Sequence, residues 1–134
     1  MKFSTKSEYG LRALTHLDAT GKNPVSLALI AKRENLSLAY LERLFSRLKK
    51  NAIVNADVGV KGGYYLARPA REISVLEVLE ALEGSLAPFS CASGGTSVTC
   101  ACSVQPVWIA LYAQMRKTLK KLKLSEIINK SKNQ

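Results

Sequence analysis

The chain has 134 residues, enough for one modest core, and 47% of them are apolar. No run approaches the about 18 uninterrupted apolar residues of a membrane span, and the start, MKFSTKSEYG, lacks the apolar stretch of a signal peptide, so the expected location is the cytoplasm. Net charge is +10 with a pI near 9.7, an excess that favours a polyanionic partner through counterion release from phosphates.

The first predicted helix is STKSEYGLRALTHLDATG, where Tyr9, Leu11, Leu14, Leu17 and Ala19 approximate helical spacing. Thr5 and Glu8 stand three apart as a capping box, and Gly21 and Pro24 end the helix. A short second helix, VSLALIAKRENLS, is capped by Ser26 and carries Leu27, Ile30 and Ala31 on its apolar face. The third, LSLAYLERLFSRLKKN, is capped by Ser37. Its stripe is Leu38, Leu41, Leu44, Phe45 and Leu48, with Tyr40, Arg43, Arg47 and Lys50 turned away.

After Asn51 the period changes. AIVNADVGVKGGYYLARP holds two β-prone runs, residues 53–55 and 64–67, around a glycine-containing turn. ISVLEVLEALEG is a fourth helix with a Ser74/Glu77 capping box, a buried face of Val75, Val78, Leu79 and Leu82, and a stop at Gly84. All three cysteines, Cys91, Cys100 and Cys102, fall in the Gly/Ser-rich stretch that follows. Then SVQPVWIALYAQMRKTLKKLKL carries a narrow seam of Val104, Trp108, Leu111, Met115, Leu119 and Leu122, close to the a/d pattern of helices that pair. Arg116, Lys117, Lys120, Lys121 and Lys123 lie opposite, and a short last helix starts at Ser125.

Three helices followed by a hairpin give the order of a winged helix-turn-helix, with the tight connection at residues 34–37. The expected fold class is therefore mainly α: a winged helix-turn-helix with a long C-terminal dimerisation helix. Its divisions are a DNA-binding domain over 1–84, a cysteine-containing loop over 85–103, and a dimerisation helix and tail over 104–134. The third helix would enter a major groove of double-stranded operator DNA with its N-terminal residues nearest the base edges. Ser37, Ala39, Tyr40, Glu42 and Arg43 stand there. Arg43 suits bidentate contact to guanine, Tyr40 a phosphate or a thymine methyl, and Glu42 a cytosine amine. Arg47, Lys49 and Lys50 read as phosphate contacts, and Lys61 in the wing turn as a phosphate or minor-groove contact. Such a domain works as a dimer, here a homodimer through Trp108, Leu111, Met115 and Leu119.

The C-x8-C-x-C spacing admits an iron–sulfur cluster, structural zinc or redox-active thiols. Three thiolates are one short of the usual four, and the single histidine, His16, lies within the first helix pattern. No Ser/His/Asp set, Walker loop, dinucleotide fingerprint or paired catalytic carboxylates appears, so an enzyme is not expected.

MKFSTKSEYGLRAL, LSLAYLERLFSRLKKNAIV and KGGYYLARPAREISVLEVLEALEG, followed by the cysteine loop and the Trp-containing helix, resemble the Rrf2 family of bacterial winged-helix repressors, in particular its IscR-like iron–sulfur members. The resemblance covers nearly the whole chain. It implies that Cys91, Cys100 and Cys102 hold a cluster, usually 2Fe–2S, whose state sets DNA affinity. The IscR-type fourth ligand is a histidine where this chain has Gln105, a poor iron ligand. Other members take a carboxylate from the first helix of the partner subunit, and Glu8 stands at the matching position, so Glu8 is expected ahead of Gln105. Ligation by Glu8 would then compete with its capping of the first helix. Many relatives also carry an arginine just before the first wing glycine, where this chain has Val58. The alternative is a DNA-binding regulator without a cluster, using thiol oxidation, zinc or an enzyme partner as its signal.

Overall fold

The computed structural model describes residues 3–59, 62–87 and 103–132. Lys61, Cys91, Cys100 and Cys102 therefore lie outside the described residues. The elements are α1 (Thr5–Leu14), α2 (Leu27–Glu34), α3 (Leu38–Lys50), β1 (Val54–Asp57), β2 (Gly63–Leu66), a 3-10 turn (Ala70–Glu72), α4 (Val75–Glu83), α5 (Gln105–Lys121) and α6 (Leu124–Lys132). Among the described residues no helix is long and apolar enough to cross a membrane.

Local capping starts three helices as expected. The Ser26 hydroxyl accepts from the Ala28 N–H at 3.2 Å and the Ser37 hydroxyl from the Tyr40 N–H at 3.0 Å. Ser74 and Glu77 form the full reciprocal box at the start of α4. Each cap satisfies donors that the first helical turn leaves without partners.

The start of α1 differs from expectation. Ser4, not Thr5, is the N-cap, accepting from the Lys6 N–H at 3.2 Å. Glu8 points to Arg12 at 3.5 Å, so the Thr5/Glu8 capping box does not form. A carboxylate far along the chain takes its place. Glu83, at the end of α4, accepts from the Ser4 N–H at 3.0 Å, the Ser7 hydroxyl at 2.8 Å and the Ser4 hydroxyl. α1 also stops at Leu14, well before Gly21. The Thr15 hydroxyl donates to the Arg12 carbonyl at 2.6 Å. The Asp18 carboxylate collects the Thr20 N–H at 3.0 Å, the Thr20 hydroxyl at 2.8 Å and the Asn23 amide at 2.7 Å. These local bonds offer the backbone an alternative to another helical turn.

One core joins both ends of the chain. Leu14, Leu17, Ile30, Leu41, Phe45, Leu48, Ile53 and Leu82 are fully buried in it, together with Leu124 and Ile128 of α6. Leu38, expected in the buried stripe, is exposed because it sits at the first position of α3, where the helix has barely reached the core. The segment between α5 and α6 docks beside the start of α4. There the Val75 N–H donates to the Leu122 carbonyl and the Leu124 N–H to the Ile73 carbonyl, both at 2.8 Å. α5 consequently ends at Lys121, before the expected seam residue Leu122.

A second cluster forms on the other side of α4, where Val75, Leu76, Leu79 and Leu86 pack against Leu11, Tyr112, Met115 and Leu119. α4 is thus buried on two faces, Val78 and Leu82 toward the first core and Leu76 and Leu79 toward α5. A helix apolar on most of its circumference takes such a central place.

β1 and β2 pair antiparallel with Val54 opposite Leu66 and Asp57 opposite Gly63, within two residues of the expected arms. Val25 adds a single bridge at the edge. Its N–H donates to the Tyr64 carbonyl at 2.9 Å and its carbonyl accepts from the Tyr64 N–H at 2.8 Å. This ties the hairpin to the segment leading into α2.

Candidate nucleic-acid interface

The α2–α3 pair is built around a tight turn. Asn35 closes α2 in the left-handed conformation, φ 56° and ψ 47°, and the Leu36 N–H reaches back to the Ala31 carbonyl at 2.9 Å. Asparagine is among the few side chains that adopt this backbone at small cost. Ser37 caps α3 two residues later. Leu41, Leu44, Phe45 and Leu48 then fix α3 on the core. That leaves Ser37, Ala39, Glu42, Arg43, Arg47 and Lys49 exposed, with Tyr40 half-buried beside them.

Tyr40 meets Tyr9 of α1 edge-on, ring centroids 6.2 Å apart and planes at 85°. The Arg43 guanidinium lies over the Tyr40 ring, 5.8 Å from its centroid. On the far side the Arg12 guanidinium lies 5.9 Å from the Tyr9 centroid and pairs with Glu34 at 3.0 Å. Glu34, the last residue of α2, also holds His16 Nε2 at 2.7 Å. That hydrogen bond, with a smaller contribution from the Arg12 charge, holds the Glu34 carboxyl below its ordinary value despite burial. α1 and the helix-turn-helix are therefore joined by charge on one side and by aromatic rings on the other.

Two expected phosphate contacts fare differently. Lys49 is exposed. Arg47 is partly engaged, its Nη1 donating to the Leu82 carbonyl at 3.0 Å near the end of α4. Arg47 also lines a cleft of about 90 Å³ with Lys6, Tyr40, Arg43 and Leu44. Lys6 was absent from the expected contacts. It belongs to the first turn of α1, and only the packing of α1 on α3 brings it beside two arginines, so no local pattern could mark it. At the wing tip Val58 is 97% exposed.

Glu8 is solvent-facing, its side chain 59% exposed, at the rim of a cleft of about 300 Å³ with Phe3, Ser7, Leu11 and Leu79. Its partner among the described residues is Arg12 at 3.5 Å, an exposed pair of the weak kind. Gln105 is the first residue of α5 and is half-buried. Among the described residues no three His, Cys, Asp or Glu side chains converge as a metal site.

The seam on α5 is divided. Met115 and Leu119 pack on Leu76 and Leu79 of the same chain, as does Tyr112. Val104, Val107 and Leu111, spaced i, i+3 and i+7 on a neighbouring strip, are 46%, 57% and 45% exposed. Trp108, at the helical position between Met115 and Leu119, is half-buried.

Comparison with known proteins bears on this arrangement. The family described as "Rrf2: Iron-dependent Transcriptional regulator" matches residues 3–130. The chain is 42% identical to the HTH-type transcriptional regulator IscR of Cereibacter sphaeroides over 135 residues, covering 96% of this chain and 87% of that protein. It is 34% identical to IscR of Escherichia coli O1:K1 / APEC over 131 residues, covering 96% and 81%. Among solved structures it is similar to IscR of T. potens, with a TM-score of 0.73 and 37% identity over 98% of this chain and 88% of that one. It is also similar to CymR (YrzC), described as the global cysteine regulator of B. subtilis, with a TM-score of 0.78 and 30% identity over 96% and 97%.

Proposed function

The chain belongs to the Rrf2 family of transcription regulators, and from that premise we propose that it is a homodimer that binds a double-stranded DNA operator and senses iron–sulfur or redox status through a cluster, by resemblance 2Fe–2S. Its relatives are DNA-binding regulators, not enzymes. The observation that carries the DNA-binding part is the outer face of α3, fixed from behind by four buried residues and presenting Tyr40 and Arg43 on a rigid platform. With α3 in a major groove, Ser37, Ala39, Tyr40, Glu42 and Arg43 face base edges. Lys6, Lys49 and Lys61 supply charge to phosphates, and Arg47 does so with the guanidinium nitrogen left over from Leu82.

The donor set suits iron. Cys91, Cys100 and Cys102 offer soft thiolates, and Glu8 of the partner subunit offers a carboxylate that, among the described residues, is held by one long, exposed ion pair. A cluster bound there supplies one-electron redox chemistry and sensitivity to oxidants. Because Ser4 and Glu83 cap α1, Glu8 is free of any capping duty, and its departure leaves Arg12 to Glu34. The end of α4, which leads into the cysteine-bearing stretch, grips both DNA-facing helices: α1 through Glu83 and α3 through the Leu82 carbonyl. These contacts offer a change of cluster state at Cys91, Cys100 and Cys102 a route to the reading surface. The exposed strip of Val104, Val107 and Leu111 supports pairing of α5 with a second copy, Trp108, Met115 and Leu119 lying beside or beneath it.

The test is anaerobic purification with measurement of iron, sulfide and the visible spectrum. Near-stoichiometric iron and sulfide, lost in Cys91→Ala and reduced in Glu8→Ala, is the expected result. Colourless protein without iron or sulfide after reconstitution contradicts the cluster and leaves thiol oxidation, zinc or an enzyme partner as the signal. Unchanged cluster content in Glu8→Ala removes Glu8 from the ligand set.

A further inference from the structure

Four side chains form a line from the first helix to the recognition surface: Arg12, Tyr9, Tyr40 and Arg43. Both tyrosines are half-buried against the main core, which limits how far either ring can turn. The inner end is held further by the 3.0 Å pair of Arg12 with Glu34. The outer end is different. Arg43 is exposed and has no hydrogen bond or ion pair among the described residues, so the ring of Tyr40 is what restrains its guanidinium.

An unrestrained arginine samples many rotamers, and reading a base requires one of them. A guanidinium resting on an aromatic face is narrowed toward that one before DNA arrives. The ring can do this only if it is itself held, and its T-shaped contact with Tyr9 holds it. We propose that Tyr9 is a specificity-determining positioning residue, which fixes the Tyr40 ring and so presets Arg43 for its base pair. This rests on the placement of α3 in the major groove proposed above. Tyr9 acts through Tyr40, so its influence falls on base preference. Phosphate contacts, which set overall affinity and its salt dependence, are left unchanged.

The experiment uses the full-length protein. Selection from randomised duplexes defines the preferred site, and dissociation constants are measured for that site and each single-base-pair variant. The proteins compared are wild type, Tyr9→Phe, Tyr9→Leu, Tyr9→Met, Arg43→Ala and the Tyr9→Leu/Arg43→Ala double variant. Tyr9→Leu lowers discrimination by about two- to fivefold at the base pair that Arg43→Ala affects, any further loss being confined to a pair that Tyr40 itself contacts. Tyr9→Phe keeps the wild-type preference, the double variant is no worse there than Arg43→Ala, and the salt slope is constant. Tyr9→Met fills similar space without a ring and gives the same reading where Tyr9→Leu melts without cooperativity. A loss spread evenly over all base pairs, or additive losses in the double variant, overturns the proposal and makes Tyr9 a packing residue. Base preferences untouched by Arg43→Ala overturn it differently, by removing the placement of α3 itself.

Discussion

Replacing Glu83 by alanine probes the junction between α4 and α1. The carboxylate accepts from the Ser4 N–H, the Ser4 hydroxyl and the Ser7 hydroxyl. Ser7 is only 3% exposed, so its hydroxyl loses its acceptor with restricted access to water when the carboxylate goes. A buried donor left unsatisfied costs about 1–3 kcal/mol. A negative charge lost from beside a helix N-terminus adds about 0.3–1 kcal/mol. The expected loss is about 2 kcal/mol, a fall in Tm of about 6–10 °C for a chain of this length. It has a pH signature. Burial alone would raise the Glu83 carboxyl, but the bonds from Ser4 and Ser7 together hold it below its ordinary value of 4.5. A carboxylate depressed on folding contributes stability that is present above the unfolded pKa and lost as pH falls through the folded one. The deficit of Glu83→Ala measured by urea unfolding is therefore full at pH 7 and shrinks below about pH 4.5. A deficit equally large at pH 3, or none at pH 7, refutes the reasoning.

Three further outcomes follow from named contacts. At Gly63 an added Cβ would stand 2.5 Å from the Val25 carbonyl oxygen, so Gly63→Ala breaks the Val25–Tyr64 bridge, costs about 1–3 kcal/mol in denaturant titration and weakens DNA binding through the displaced wing. Ala52 holds φ at 59°, and Ala52→Gly relieves that strain for a net gain of about 0.5–1 kcal/mol, seen as a higher urea midpoint at unchanged m-value. Lys49→Ala weakens binding to preferred and unrelated duplexes alike and lowers the slope of log affinity against log salt by about one.

What the sequence disclosed follows the range of the interactions involved. Ser26, Ser37 and Ser74 were legible as caps because an N-cap is settled within three residues. The order of helices and hairpin, and the outward face of α3, follow from apolar period alone. The start of α1 was misread because its deciding partner, Glu83, is 79 residues away. Its end was misread because Thr15 and Asp18 act through side-chain bonds that apolar spacing does not register. The seam on α5 looked continuous in sequence, yet the packing of α4 divides it, claiming Met115 and Leu119 and leaving Leu111 outside. On the outer face of α3 the local neighbours are legible in the sequence and the tertiary ones are not. Tyr40 and Arg43 belong to one helix pattern, whereas Lys6 and Tyr9 reach them only because α1 crosses α3.

On the function proposed above, the state of a cluster held by Cys91, Cys100 and Cys102 sets the affinity of the reading surface. The most direct test is the dissociation constant for the selected operator, measured at one salt concentration on protein purified without oxygen and again after iron is removed by chelation. Coupling between two sites of this kind is typically about 1–3 kcal/mol, so the two constants should differ about 5- to 150-fold, and Cys91→Ala should match the iron-free value. Equal affinities in the two states, with the protein folded in both, would contradict the claim.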